Sequence, residues 1–362
     1  MISDRRKIPP RAVVRAVERV RDGLAGMHRR LVPGHFALLE LVVAGWLSQA
    51  IHAAAALDIA GALADGPREG TDLARAVGAD PDALHRLLRL LIAHGIFARR
   101  RDGRYTLTPM ARALRRDAPV PLRDAVLFYG CAVHRDHWTH LVDAVRAGAP
   151  AVPARAFFDL VRTDRELGEM FHRAMSDIEG LGQAAVLTAH DFTPYRSIVD
   201  IGGGRGALLS EILRRVPDCT GILFDLPEVA ADAPGWLSEP GTAGRCTAVG
   251  GSFFDTVPAG ADAYLLKHVL HDWPAEQAAQ ILRTIRAAMP STARLLVIEL
   301  VLPEQDRPHP GNFIDLEMLV NTGGRERTES EYRALLSDSG FTLLSCTPTM
   351  SPENVLEAVP TP

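Results

Sequence analysis

The sequence predicts an α/β protein. A Rossmann-like sheet fills the C-terminal half, and a mainly helical N-terminal region containing a winged helix precedes it. Three observations predict this. Ser197 to Leu209 reads Ser-Ile-Val-Asp-Ile-Gly-Gly-Gly-Arg-Gly-Ala-Leu-Leu: β-prone residues run into glycines, and a helical stripe of Leu208, Leu209, Ile212 and Leu213 follows. Strand and helix patterns then alternate to the end of the chain. Upstream, between Asp58 and Leu114, two helices and a hairpin occur in winged-helix order. We read three segments: 1–115 as an N-terminal dimerisation region, 116–190 as a helical linker contributing to a substrate pocket, and 191–362 as the ligand-binding domain.

Composition sets the class. The 362 residues are 47% hydrophobic with a net charge of −4, which suits a soluble protein and argues against a whole-chain polyanion binder. Cys131, Cys219, Cys246 and Cys346 are scattered, with neither metal-ligand spacing nor a disulfide framework. Reduced thiols and a cytoplasmic setting follow. The arginine-rich start lacks the apolar core of a signal peptide.

In chain order, Arg11, Arg15 and Arg19 share one face of a first helix. Phe36, Leu39, Val43, Trp46, Leu47 and Ala50 trace an apolar stripe. Glu40, Gln49, His52 and Asp58 interrupt that region, so it reads as a buried or dimer-facing helix rather than a membrane span. Thr71 is the expected cap of one short helix, and Gly78 its stop. Asp80-Pro81-Asp82 starts another, with Leu84, Leu87, Leu88 and Leu91 as core. Asp102-Gly103 turns a hairpin carrying Arg99, Arg100, Arg101 and Arg104. The helix before it is mostly leucine, so a scaffold or dimerisation role outweighs nucleic-acid binding. Pro119 to Tyr195 is helical, with Trp138, Leu141, Val142 and Val145 as one stripe and Phe157, Leu160, Met170, Phe171 and Met175 supplying others.

The glycines leave the ligand open. Gly202-x-Gly204-x-x-Ala207 satisfies the loose dinucleotide fingerprint. Gly202-x-Gly204-x-Gly206 suits S-adenosylmethionine equally. Asp225 ends the next strand, about 20 residues on, the distance at which a carboxylate holds a ribose diol. Both ligands carry that diol. Further along, Ala263–Lys267 is a buried strand that opens into His268-Val-Leu-His271-Asp272-Trp273. Asp272 reads as the cap of the helix that follows. Glu299 lies inside an apolar strand, where an unpaired charge is costly. Thr328 to Glu331 is a capping box, and the chain closes on a hairpin.

Val199-Asp-Ile-Gly-Gly-Gly-Arg-Gly, Asp225-Leu-Pro, Gly250-Gly251-Ser-Phe-Phe, Leu266-Lys-His-Val-Leu-His-Asp-Trp and Gly323-Gly-Arg-Glu-Arg-Thr together carry a resemblance. The chain resembles the S-adenosylmethionine-dependent O-methyltransferases that include the caffeate and flavonoid enzymes. It looks closest to the bacterial branch acting on aromatic polyketides and other natural products. The apolar stripe from Phe36 to Ala50, more than a small domain can cover alone, predicts a homodimer, and the resemblance implies S-adenosyl-L-methionine as cofactor. It puts the methionine end against Gly202, Gly203 and Gly204 with Ser176 nearby. It matches Asp225 to the ribose, Ser252 and Phe253 to the adenine, and Lys267 to the cofactor's far edge. It implies His271 as general base held by Glu299 and Glu326, and a substrate-lining stretch with Met318 and Asn321; Met175, and Asp272 as the rival to its capping role, are further candidate substrate contacts. Ser252 departs from the family's usual acidic residue, which weakens the adenine contact.

The implied reaction is attack of a phenolic oxygen on the sulfonium methyl. A phenol pKa near ~10 gives a base work to do at neutral pH, and no metal is called for. The competing readings are a nicotinamide-dependent dehydrogenase, a winged-helix regulator, and a same-fold enzyme that methylates nitrogen, hydroxylates or decarboxylates.

Overall fold

The computed structural model describes residues 11–231, 235–239 and 241–362. They form two compact units. One comprises residues 18–139 and 158–178; the other comprises 140–157 and 179–362 with the described residues up to Val17.

The first unit is helical. Arg11–Arg30 is one helix; the side chains of Arg11, Arg15 and Arg19 lie outside the described residues. Gly34–Ala56 follows as a helix of 23 residues. The expectation that polar residues break this run is corrected. Glu40 is its sole Asp, Glu, Lys or Arg, and by length and composition it is long and apolar enough to cross a membrane. Its last turns bury Ala50, Ala54 and Ala55, whereas Phe36, Leu39 and Trp46 stand more than half exposed.

The winged-helix order is present: Gly70–Val77, Pro81–Ala93, then β1 (Phe97–Arg99) paired antiparallel with β2 (Tyr105–Leu107). Leu84, Leu88 and Leu91 are buried, and Asp80 caps its helix by accepting from Ala83 N at 2.9 Å. Thr71 is not a cap. The helix starts a residue earlier, with Glu69 at the cap position and no side-chain bond. The wing arginines are engaged locally: Arg104 pairs with Asp102 at 2.8 Å, and Arg99 donates to Gly103 O at 2.9 Å. Val142, Val145 and Leu160 are exposed, not core. The helix Leu141–Ala147, part of the second unit, buries Ala144 instead. His134 is buried with its ring 5.2 Å from Phe128 and 5.1 Å from Tyr129.

The second unit is built on a seven-stranded sheet. It contains β3 (Ser197–Ile201), β4 (Thr220–Asp225), β5 (Cys246–Gly250), β6 (Ala263–Lys267) and β7 (Arg294–Glu299). Next come β8 (Val301–Leu302) and β9 (Arg327–Thr328), which pair with each other outside the sheet. The hairpin β10 (Phe341–Pro348) and β11 (Asn354–Pro360) returns to it. The spatial order is β10-β11-β7-β6-β3-β4-β5, with β3 to β7 parallel and β11 antiparallel to β7.

Both faces are covered, which is why the strands read as continuous apolar runs. Val199, Tyr264, Leu266, Leu295 and Val297 pack on one side with Ile281, Ile285 and Leu336. Ile198, Leu265, Leu296 and Ile298 pack on the other with Leu209, Leu213 and Val186. β3 has β4 on one side and β6 on the other. The connection reverses direction there, and a cleft opens beyond the strand ends, the usual ligand position in such sheets.

Candidate active site

Every parallel strand delivers a polar group to that edge. At the end of β3, Gly202 and Gly204 hold φ of +67° and +54°, a region side chains avoid. A Cβ on Gly203 would meet Leu223 at 2.6 Å and the Asp200 carboxyl at 2.7 Å, so glycine lets the turn close over both. Asp225, ending β4, accepts from Gly204 N at 2.8 Å and Leu226 N at 2.7 Å. A carboxylate has about four acceptor positions, so a diol can still be met. After β5, Gly251 N donates to Asp225 O at 2.9 Å. The Ser252 hydroxyl accepts from Phe254 N at 3.2 Å. Phe253 lies near Gly202 and packs edge-on against Trp273. A narrow cleft here is lined by Glu179, Gln183, Asp200, Gly202, Gly203 and Lys267.

The histidine turn follows β6. His268 adopts φ +53°, and Leu270–Asp272 form a single 3-10 turn. Glu299, at the end of β7 and wholly buried, holds that turn. Its Oε1 accepts from the amides of Val269 (3.2 Å), Leu270 (2.9 Å) and His271 (3.4 Å). Its Oε2 stands 3.6 Å from His271 Nδ1 and 3.7 Å from His268 Nδ1.

Glu326 arrives from the other direction. The β8–β9 pair ties its strand to the end of β7. A Cβ on Gly324 would collide with the His271 carbonyl, so only glycine lets the two backbones touch. Glu326 N donates to Asp315 at 2.9 Å, and Glu326 Oε1 sits 2.7 Å from His271 Nδ1. Buried Arg327 donates to the carbonyls of Leu270 (3.0 Å) and Trp273 (3.1 Å).

The charges balance around His271. Burial disfavours the imidazolium, but Glu299, Glu326 and Asp272 outweigh it and raise its pKa to about 10. Burial pushes Glu326 upward, whereas the two histidines hold Glu299 below the ordinary range. Burial lifts Asp272 to about 6.

Asp272 does not cap the next helix. Pro274 occupies the cap position of Ala275–Ala288, and the Asp272 carboxyl lies 3.8 Å from His271 Nε2. Met318 and Asn321 are buried on the helix Gly311–Asn321, where Asn321 donates to Glu317 at 2.9 Å. Ser176 and Met175 belong to the other unit; the Ser176 hydroxyl donates to His172 O at 2.9 Å within its own helix.

Sequence reasoning missed His268, Glu353, Arg327, Glu179 and Asp200 as participants. His268 Nε2 lies 2.8 Å from Glu353, which also stands 3.5 Å from Lys267. His268 lay within a quoted motif. Glu353 comes from 85 residues away and carried no local signal. His268, His271 and Glu299 place ligand atoms within 4.8 Å of one another, a grouping not visible in the sequence. Glu326 and Glu353 already engage the two rings, so ion pairing accounts for the cluster.

Residues 138–342 match the O-methyltransferase domain model, and residues 39–117 the O-methyltransferase dimerisation domain model. The chain belongs to the S-adenosylmethionine-dependent O-methyltransferase family. This methyltransferase is 38% identical to phenazine O-methyltransferase PhzM of Lysobacter antibioticus, over 91% of this chain and 97% of that one. It is 35% identical to the 8-amino-8-demethylriboflavin N,N-dimethyltransferase of Streptomyces davaonensis, over 82% of this chain and 87% of that one. It superimposes with a TM-score of 0.73 and 35% identity on the neocarzinostatin-pathway O-methyltransferase NcsB1, solved with S-adenosylmethionine and 2-hydroxy-5-methyl naphthoic acid. That match covers 87% of this chain and 96% of that one. The methyltransferase uses S-adenosylmethionine, and its exposed Gly34–Ala56 helix enters the dimerisation domain at residue 39.

In the ligand-free enzyme the His271 ring should stay protonated to near pH 10. An unfolded histidine titrates near ~6.5. The folded value is raised, so the stabilisation is fully present below about pH 6.5 and is lost as pH rises through about 10. NMR titration of the ring protons reads this directly, and Glu326→Gln should move the midpoint down. A ring that titrates near ~6.5 in the wild type would contradict the charge balance.

Proposed function

We propose that this enzyme methylates a phenolic hydroxyl of a small aromatic natural product, with His271 as general base. The observation that carries the reading is the 2.7 Å contact between His271 Nδ1 and Glu326, which leaves Nε2 for a substrate proton. The relatives support the acceptor class: PhzM by its name, and NcsB1 by the hydroxynaphthoic acid in its complex.

Gly202 to Gly204, Asp225, Ser252, Phe253 and Lys267 would hold the cofactor. The Lys267 ammonium, which makes no hydrogen bond, and the bare glycine turn fit an anionic and a close-packed ligand group. When bound, the cofactor supplies an electrophilic methyl group and a sulfonium charge. His271 takes the hydroxyl proton on Nε2, while Glu326 fixes the tautomer and steadies the imidazolium. Glu299 holds the turn. Met318, Asn321 and Asp272 shape the acceptor site. A ring raised to about 10 must first lose its proton, and a nearby positive charge favours that loss. No metal enters this reading. We also read the enzyme as a homodimer, because among the described residues the apolar face of Gly34–Ala56 stands exposed and asks for a cover; the scattered free cysteines suit a cytoplasmic setting.

The test is incubation with labelled S-adenosylmethionine and a panel of aromatic hydroxyl and amino compounds, followed by mass spectrometry. A methyl ether as product supports oxygen transfer. Turnover of amines alone would move the enzyme to the nitrogen-methylating class, the reading that the riboflavin-analogue relative favours. His271→Ala should lower kcat by roughly 10²–10⁴-fold, the usual worth of a positioned base. Activity should rise with pH, along a limb that lies above the ordinary histidine value, because the ring must be neutral to act. For the assembly, Leu39→Glu with Trp46→Glu should convert dimer to monomer in sedimentation velocity; an unchanged dimer would place the interface elsewhere.

A further inference from the structure

The histidine turn holds a second imidazole that the reaction as read does not use. His268 follows β6 directly, and its ring lies 5.3 Å from that of His271. Both rings turn Nδ1 toward one atom. Glu299 Oε2 stands 3.7 Å from His268 and 3.6 Å from His271.

The opposite nitrogens differ. His271 Nε2 is left for the acceptor's proton, whereas His268 Nε2 lies 2.8 Å from Glu353. Glu353 is itself fixed. The Ser351 hydroxyl donates to it at 2.8 Å, and a Cβ on Gly182 would collide with its carboxyl group. Glycine on the helix Arg165–Ala189 therefore makes room for the clamp. An imidazole with a carboxylate at each nitrogen can serve both only as the imidazolium, which donates twice. Glu353, Glu299, Glu179 and Asp272 act on His268 as anions, and Lys267 and His271 as cations. Burial and Lys267 disfavour its charge, but Glu299 and Glu353 prevail, and its pKa is raised. Around His271 stand Glu299, Glu326 and Asp272, with buried Arg327 on the carbonyls of its turn.

We propose that His268, clamped between Glu353 and Glu299, is a positioning residue for proton transfer: a fixed positive charge that shares Glu299 with His271 and makes the base release its resting proton more readily. This rests on the reading of His271 as general base. Unit charges at this ring separation are coupled by roughly one to two pH units once screening is allowed for.

Asparagine tolerates the left-handed backbone found here, so His268→Asn removes the charge without straining the turn. NMR titration of the ligand-free enzyme, in a Glu326→Gln background that brings His271 into an accessible range, reads the coupling. His268→Asn should raise the His271 midpoint by roughly one to two pH units, and His268→Arg, which keeps a cation, should return most of that shift. In single-turnover methyl transfer to a phenol that the wild type accepts, the rising limb should move up equally, with the rate lost at neutral pH regained as pH rises. A loss of the same size at every pH would be a structural effect and overturns the proposal. So does a His271 midpoint that stays or falls. One check needs no variant at position 268: a His268 ring found neutral near neutral pH in the wild type has no charge to lend, and this too overturns it. If His271→Ala keeps normal turnover, the base reading has failed instead, and the NMR shift still reports separately whether the two rings are coupled.

Discussion

The site depends on one buried carboxylate. Glu299 ends β7 with no exposure to solvent, where an uncompensated charge would be expensive. One oxygen gathers three consecutive amides of the histidine turn, and the other faces His268 and His271. Its negative charge is thus spent on backbone shape and on two rings together. Remove it, and the turn loses its anchor while both histidines lose a counter-charge. The left-handed backbone at His268 is tolerable because Glu299 and Glu353 flank its ring.

The sheet turns this anchor into a site. Parallel strands end at the same edge, so Gly202, Asp225, Lys267 and Glu299 arrive together although they are distant in sequence. The β8–β9 pair then brings the chain back from residue 327 and sets Glu326 against Nδ1 of the ring, the nitrogen that Glu299 also faces. Gly324 permits the final approach because no side chain stands between the two backbones. Arg327 completes the wall by tying the carbonyls of Leu270 and Trp273.

What the sequence revealed was local. Ser197 to Leu213 announces its strand, turn and helix because each residue type has a conformational reason to be there. The Thr328–Glu331 capping box forms as written, because both its bonds lie within one turn. Asp272 misled because a carboxylate before a helix is normally a cap; here the chain inserts Trp273 and Pro274 first, and the carboxyl stays beside His271. Thr71 misled by two residues of register, since the cap position is Glu69. Val142 and Val145 misled because a stripe says that a face is apolar, not what covers it. Glu353 and Glu179 could not be found from their neighbours, since each acquires meaning only through residues brought close by the sheet. The ionisation of His271 was also hidden: its ordinary pKa is the solution value, and three carboxylates reset it.

That last point defines the chemistry. If the cluster exists to move a proton from the acceptor, its worth must depend on whether the acceptor still holds one. The decisive measurement is the single-turnover rate of methyl transfer to a series of aromatic hydroxyl acceptors of graded acidity, in the wild type and in His271→Ala at one pH. The loss caused by the substitution should be large for weakly acidic acceptors and should shrink toward nothing for those already ionised in solution. A loss of equal size across the whole series would contradict proton transfer and reduce His271 to a wall that positions the acceptor.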